Sequence, residues 1–223
     1  MQTEKTEGIS LKTVPYKDGQ KILTIFAEKR GLTTLLVKRL SLKRMHLFSG
    51  TNLFSLSEFV YFKGKSDIYY LQDLSLIREH SFLREDLNYI EQAALMAKAL
   101  LESQLPNKKA PALYALFKKY ILKIPAFKNE LILSYSFILK LLIHEGLLHL
   151  TGSCSSCSNV ARYIARGELL CPLHASSYAL SFSSLEMESL KLLAHARTFE
   201  NLKGIQLSKS LQEKIWRMFK EII

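Results

Sequence analysis

The chain has 223 residues, with 31 lysines and arginines against 20 aspartates and glutamates, a formal charge of +11 at neutral pH. Its 48% hydrophobic and 23% charged residues are globular proportions, which excludes disordered and fibrous classes and allows one large or two small domains. Cations in such excess repel one another, so an anionic partner is expected. Residues Met1 to Glu7 lack the basic-then-apolar order of an export signal. The most apolar stretch, Leu131 to Ile143, is 13 residues long and broken by Lys140. That is short of the roughly 20 residues that span a bilayer, so it reads as a buried helix, and the expected setting is cytoplasmic with no membrane contact.

Up to about residue 80 the chain reads as short β-rich runs divided by turn residues. Gly8 to Tyr16 alternates, and Lys17-Asp18-Gly19-Gln20 breaks it with an Asp-Gly pair, a strong hairpin signal because both positions tolerate positive φ. Lys21 to Glu28 and Thr33 to Leu40 are the second and third runs. A longer connection, Ser41 to Leu53, leads to the fourth run, Phe54 to Lys63, and Asp67 to Ile77 is the fifth. Five short strands without helical crossovers are expected to be antiparallel, and a sheet this small hides its edges best by curling into a barrel.

From Phe82 the period changes. Leu83, Leu87, Ile90, Ala94, Ala97 and Leu101 recur every three or four residues, as on one helix face. A basic helix is expected from Leu113 to Leu122, between Pro111 and Pro125. Asn129 to Leu148 is apolar nearly all round, with a thin stripe of Ser136, Lys140 and His144. Capping boxes are read at Ser183 with Glu186 and at Ser210 with Glu213. The expected fold is therefore α+β: a five-stranded barrel over 1–80, then a helical bundle over 81–223, interrupted by an irregular insert at about 150–175.

That insert holds all three cysteines: Cys154-Ser155-Ser156-Cys157, 13 residues, then Cys171-Pro172-Leu173-His174. In C-x2-C…C-x2-H each two-residue gap lets both side chains of a pair aim at one centre, and thiolates with an imidazole suit Zn2+. The odd number of cysteines argues against a disulfide framework. Four ligands and no neighbouring carboxylate beyond Glu168 make a closed, structural site the expectation over a catalytic one; His149 is a weaker fourth ligand. Three reduced thiols beside an unrelated histidine is the alternative.

The charge is uneven. Residues 1–80 contain 13 basic and 8 acidic side chains, and Lys29, Arg30, Lys38, Arg39, Lys43 and Arg44 all fall between Glu28 and Arg44. Such strips bind single-stranded nucleic acid by releasing counterions, with aromatic rings as stacking surfaces. Tyr61, Tyr69 and Tyr70 are the nearest candidate rings, although a tyrosine at such a position is more often a core or rim residue than a stacking surface. Lys118-Lys119 could extend the basic surface. No G-x-S-x-G, phosphate-cradling glycine loop or H-E-x-x-H is present, so no catalytic residue is expected.

Glu7 to Tyr16 with Asp18 to Thr24, Phe82-Leu83-Arg84-Glu85-Asp86-Leu87, and Leu169-Leu170-Cys171 after the first cysteine pair resemble, in the same order, the bacterial RecO recombination mediators. The resemblance implies an N-terminal OB-fold, a helical bundle with a zinc insert, and no enzymatic activity. It implies binding to single- and double-stranded DNA, annealing of complementary strands, and work alongside RecR and single-stranded-DNA-binding protein (SSB) to help RecA load. It implies a nucleoid-associated location and DNA contacts by barrel cations, which by position are Lys38, Arg39, Lys43 and Arg44. His174 stands where that family commonly has a fourth cysteine. An RNA-binding OB-fold protein, a zinc-dependent hydrolase and a zinc-stabilised protein–protein scaffold are the competing readings.

Overall fold

The computed structural model describes residues 3–38, 46–64, 68–127 and 131–223, which form two compact units, Met1–Leu122 and Lys123–Ile223. The first unit is organised by β1 (Thr3–Pro15), a strand long enough to serve two neighbours. Its first part, Thr3 to Ile9, pairs with β4 (Leu56–Lys63), and its later part, Gly8 to Pro15, with β2 (Lys21–Ala27). The β1–β2 turn is tight, with Asp18 at φ 54° and Gly19 at φ 72°, as the Asp-Gly pair predicts. β3 (Gly31–Val37) runs antiparallel to β2, and β5 (Tyr69–Arg78) antiparallel to β4.

The sheet closes in the order β1-β2-β3-β5-β4, the five-stranded Greek-key barrel of an OB-fold. Closure corrects the expectation of a wholly antiparallel sheet: β3 and β5 are parallel, through Leu35 with Tyr69 and Leu36 with Tyr70. The reason is parity. Antiparallel neighbours alternate in direction, and an odd number of strands cannot alternate all the way round a ring. The interior is filled by Leu23, Ile25, Leu35, Phe59, Tyr61, Tyr69, Leu71 and Leu74, with Leu47 of the short helix α1 (His46–Gly50) in the same cluster.

Two helices belong to this unit although the composition shifts at residue 80. Asp86 caps α2 (Leu87–Ser103) by accepting a hydrogen bond from the Asn88 N–H. α3 (Pro111–Lys123) lays Tyr114 and Phe117 against Phe26 of β2, ring centroids 5.9 and 6.2 Å apart. On the same seam the Tyr114 hydroxyl (2.7 Å) and Lys118 Nζ (2.6 Å) both donate to Glu7 of β1. The carboxyl is thereby drawn below its ordinary range: burial works against this, and the bonds from Lys118 and Tyr114 outweigh it.

The second unit is built on α4 (Ile132–His144), apolar nearly all round and buried along most of its length. Its polar stripe does structural work: Ser136 Oγ donates to the Leu193 carbonyl and Lys140 Nζ to the Ala196 carbonyl, each at 2.7 Å. Those carbonyls lie at the C-terminal end of α5 (Ser184–His195), where helices lack internal partners and favour a cation. α5 starts with the expected box, Ser183 and Glu186 each receiving the other's backbone N–H. α6 (Lys209–Ile222) is capped two residues before the expected Ser210: Ser208 accepts from the Leu211 N–H while Gln212 reaches back to the Leu207 carbonyl. The insert is not irregular. β6 (Tyr163–Ala165), β7 (Glu168–Leu170) and β8 (Leu180–Ser181) make a three-stranded sheet in the order β7-β6-β8. Among the described residues no helix is long and apolar enough to cross a membrane.

Candidate metal centre and nucleic-acid surface

The β6–β7 hairpin turns at Arg166 (φ 49°) and Gly167 (φ 81°), a two-residue turn that sets both strands against the cysteine loops. Ser155 N–H donates to the Leu169 carbonyl at 2.8 Å, fastening the first cysteine loop to β7. Cys154 N–H donates to Asn159, so the chain folds back between Cys154 and Cys157. After β7 the chain turns tightly again, the N–H groups of His174 and Ala175 both donating to the Cys171 carbonyl.

Two short turns thus bring Cys154, Cys157, Cys171 and His174 together, with all four donor atoms within 4.8 Å of one another. His174 Nδ1 is 3.5 Å from Cys154 Sγ, 3.5 Å from Cys157 Sγ and 3.3 Å from Cys171 Sγ, and the Cys157 and Cys171 sulfurs are 3.7 Å apart. Tetrahedral donors with bonds of about 2.3 Å to sulfur and about 2.1 Å to nitrogen lie about 3.8 Å apart for S···S and about 3.6 Å for S···N. The cluster has the dimensions of such a site and could hold a metal ion. Four protein donors fill four-coordination, which leaves no position for a reacting water.

The electrostatics agree. Burial resists ionisation of Cys154, but the N–H groups of Cys171, Ser156 and Cys157 and the His174 ring outweigh it and pull the thiol down to about 6. Cys171 is lowered in the same way, against its own burial. The Asn159 N–H favours the Cys157 thiolate, yet burial and the neighbouring Cys171 and Cys154 sulfurs push that thiol up. Three sulfurs around one point repel as they ionise, and a dication at the centre cancels that repulsion. His149 is exposed and stands outside the cluster, its backbone N–H bonded to Gly167. Glu168 is also outside it, accepting from Ser155.

The basic strip divides. Lys29 is exposed, its Nζ donating among the described residues only to the Lys5 carbonyl at 3.2 Å. Lys38, at the end of β3, is exposed with no ion-pair partner among the described residues. Arg30 is different: Nε and Nη2 hold the two oxygens of Glu4, Nη1 donates to the Tyr69 hydroxyl at 2.9 Å, and the guanidinium lies 5.2 Å from the Tyr69 ring. Its charge is compensated within the barrel, and the bonds to Glu4 raise its pKa further. Arg39, Lys43 and Arg44 lie outside the described residues. Lys118 is committed to Glu7, while Lys119 is exposed.

Of the candidate rings, Tyr61 and Tyr69 point inward, 1% and 3% exposed, and pack edge to face at 5.2 Å. Burial pushes the Tyr61 hydroxyl up to about 12. Tyr70 is half-buried on the outer surface, stacked on Phe62, a ring that the sequence reading overlooks although strand alternation after an inward Tyr61 would place it outside.

Residues 1–80 match the family model described as the N-terminal region of recombination protein O. A DNA repair protein RecO of Chlamydia pneumoniae is 27% identical over 216 residues, covering 95% of this chain and 85% of its own. One from Acetivibrio thermocellus is 28% identical over 222 residues, covering 96% and 88%. One from Chlamydia muridarum is 31% identical over 124 residues, about half of each chain (54% and 53%).

Proposed function

Because the chain belongs to the RecO family, we propose that it is a DNA repair and recombination protein that binds DNA through its barrel and brings complementary strands together. The supporting observation is the similarity to DNA repair proteins over 95% of the chain, which takes in the barrel, the helices and the Cys/His module alike. Exposed, uncompensated cations on the barrel, Lys29 and Lys38 among the described residues, are the physical means. Neutralising phosphates on two strands lets them approach while their bases stay free to pair. Arg39, Lys43 and Arg44 extend this contact in the proposal, whereas Arg30 serves the fold. RecR, SSB and, through them, RecA are the proposed partners.

We further propose that the Cys154, Cys157, Cys171 and His174 cluster holds Zn2+. Three thiolates and one imidazole are a common structural zinc set, and the bound ion would supply fixed geometry rather than chemistry. The test of the function is annealing of complementary oligonucleotides coated with SSB. Acceleration by the protein is expected. Absence of acceleration, with no DNA binding at moderate salt, would leave the scaffold reading in its place.

A further inference from the structure

The outer surface of the barrel carries a row of apolar side chains that the charge-neutralisation mechanism does not use. The ladder aligns Val14 with Ile22, Ile22 with Leu36, Leu36 with Tyr70, and Tyr70 with Phe62, one residue from each strand. Their sequence neighbours Leu23, Leu35, Tyr61 and Tyr69 fill the interior, so by alternation this row faces outward. Val14 is 40% exposed and the other four are half-buried. The row ends in a parallel stack: the Phe62 and Tyr70 rings lie 5.5 Å apart at 11°. Gly64, two residues beyond Phe62, makes room for it, since a Cβ there would meet Tyr70 Cε2 at 2.2 Å.

The row winds obliquely round the barrel, from Val14 near the β1–β2 turn and Leu36 near the finish of β3 to Phe62 and Tyr70 at the β4–β5 connection, which lies beside the start of β1. Cations flank it along its length: Lys12 and Lys17 on either side of Val14 in sequence, Lys38 two residues after Leu36 and Lys63 directly after Phe62, all exposed and without an ion pair among the described residues. An apolar, aromatic band flanked by exposed cations is complementary to a chain whose anionic backbone runs beside flat apolar groups. That is unpaired nucleic acid, in which phosphates meet lysines and exposed bases meet rings. Duplex DNA hides its base faces and would use the lysines alone.

We infer that the Phe62–Tyr70 stack, with the aliphatic row behind it, is a base-stacking platform by which the barrel prefers unpaired strands. The inference rests on the DNA-binding reading above and names which form of DNA this surface selects. It adds a salt-independent contribution to the salt-dependent one of the lysines.

The test compares fluorescence anisotropy titrations of a 20-nucleotide dT strand and an abasic strand of equal charge, for the wild type and for a Phe62→Leu, Tyr70→Leu double variant. Leucines keep the apolar area and remove the ring faces. The wild type should bind dT about tenfold more tightly than the abasic strand. The variant, with an unchanged thermal midpoint, should bind both equally and keep the wild-type salt slope. Equal binding of the two strands by the wild type overturns the platform without touching the DNA-binding reading, and this arm needs no variant to fold. A preference that survives in the variant also overturns it, because the bases must then be contacted elsewhere on the protein. If the wild type binds neither strand, the DNA-binding reading falls first and the platform with it.

Discussion

Replacing Arg30 and Lys38 separately by alanine distinguishes a cation that holds the barrel together from one that meets DNA. Lys38 is exposed and has no ion-pair partner among the described residues, so a phosphate bound there releases a counterion. Each such contact contributes about 0.7 to the slope of log K against log salt for single strands. Losing Lys29 and Lys38 together should therefore flatten the slope by about 1.4. Between about 50 and 200 mM salt, a fourfold change, the wild type should lose about sevenfold more affinity than the double variant. Arg30→Ala should leave the slope alone, because Glu4 already neutralises that guanidinium. Its effect is on stability. The pair is about a third exposed on each side (31% and 33%). The bidentate geometry and the Tyr69 bond are then worth about 1–2 kcal/mol, above an exposed pair and below a fully buried one. Anisotropy titrations across that salt range, with urea melts of the same variants, measure both quantities. A slope that falls as much for Arg30→Ala as for Lys38→Ala would refute the reasoning, since it would mean that Arg30 leaves Glu4 for phosphate.

The metal cluster and a buried histidine give two further expectations. Protein purified without chelator should carry about one zinc per chain by elemental analysis, and Cys157→Ser should lose it and melt at least about 10 °C lower, as expected where an ion contributes several kcal/mol. DNA affinity should persist in that variant, because the cluster lies in the unit from Lys123 onward and the barrel in the other; a collapse of affinity with no change in melting would argue against a structural role. His80 is 3% exposed, its Nδ1 2.7 Å from the Phe54 carbonyl. Burial holds its pKa below the ordinary 6.5, against the pull of that bond. The unfolded chain therefore takes up the proton first, so this contribution to stability is complete above about pH 6.5 and is lost as pH falls toward the folded value. His80→Asn, which keeps a donor for Phe54 and cannot titrate, should show a smaller drop in urea-melt stability between pH 7.5 and 5 than the wild type. An equal drop would place the pH dependence elsewhere.

Much of this protein is written in short-range pattern. The Asp18-Gly19 turn, the five strand runs, the Ser183 box and the paired cysteine spacing each depend on a few adjacent residues and their local conformational needs, and each stands in the structure where the pattern puts it. The polar opening of β1 and the two- and three-residue strands of the insert escaped, since neither is long or apolar enough to show a period. What the linear chain left open was settled by contacts far apart in it. The parallel β3–β5 seam follows from closing an odd ring of strands. Arg30 is paired within the barrel because its strand neighbourhood delivers Glu4, 26 residues away. Among the tyrosines, register alone sends Tyr61 and Tyr69 inward and Tyr70 outward beside Phe62. Composition can supply charge and rings, but a one-residue step along a strand reverses the face each one occupies, and only the closed barrel fixes that step.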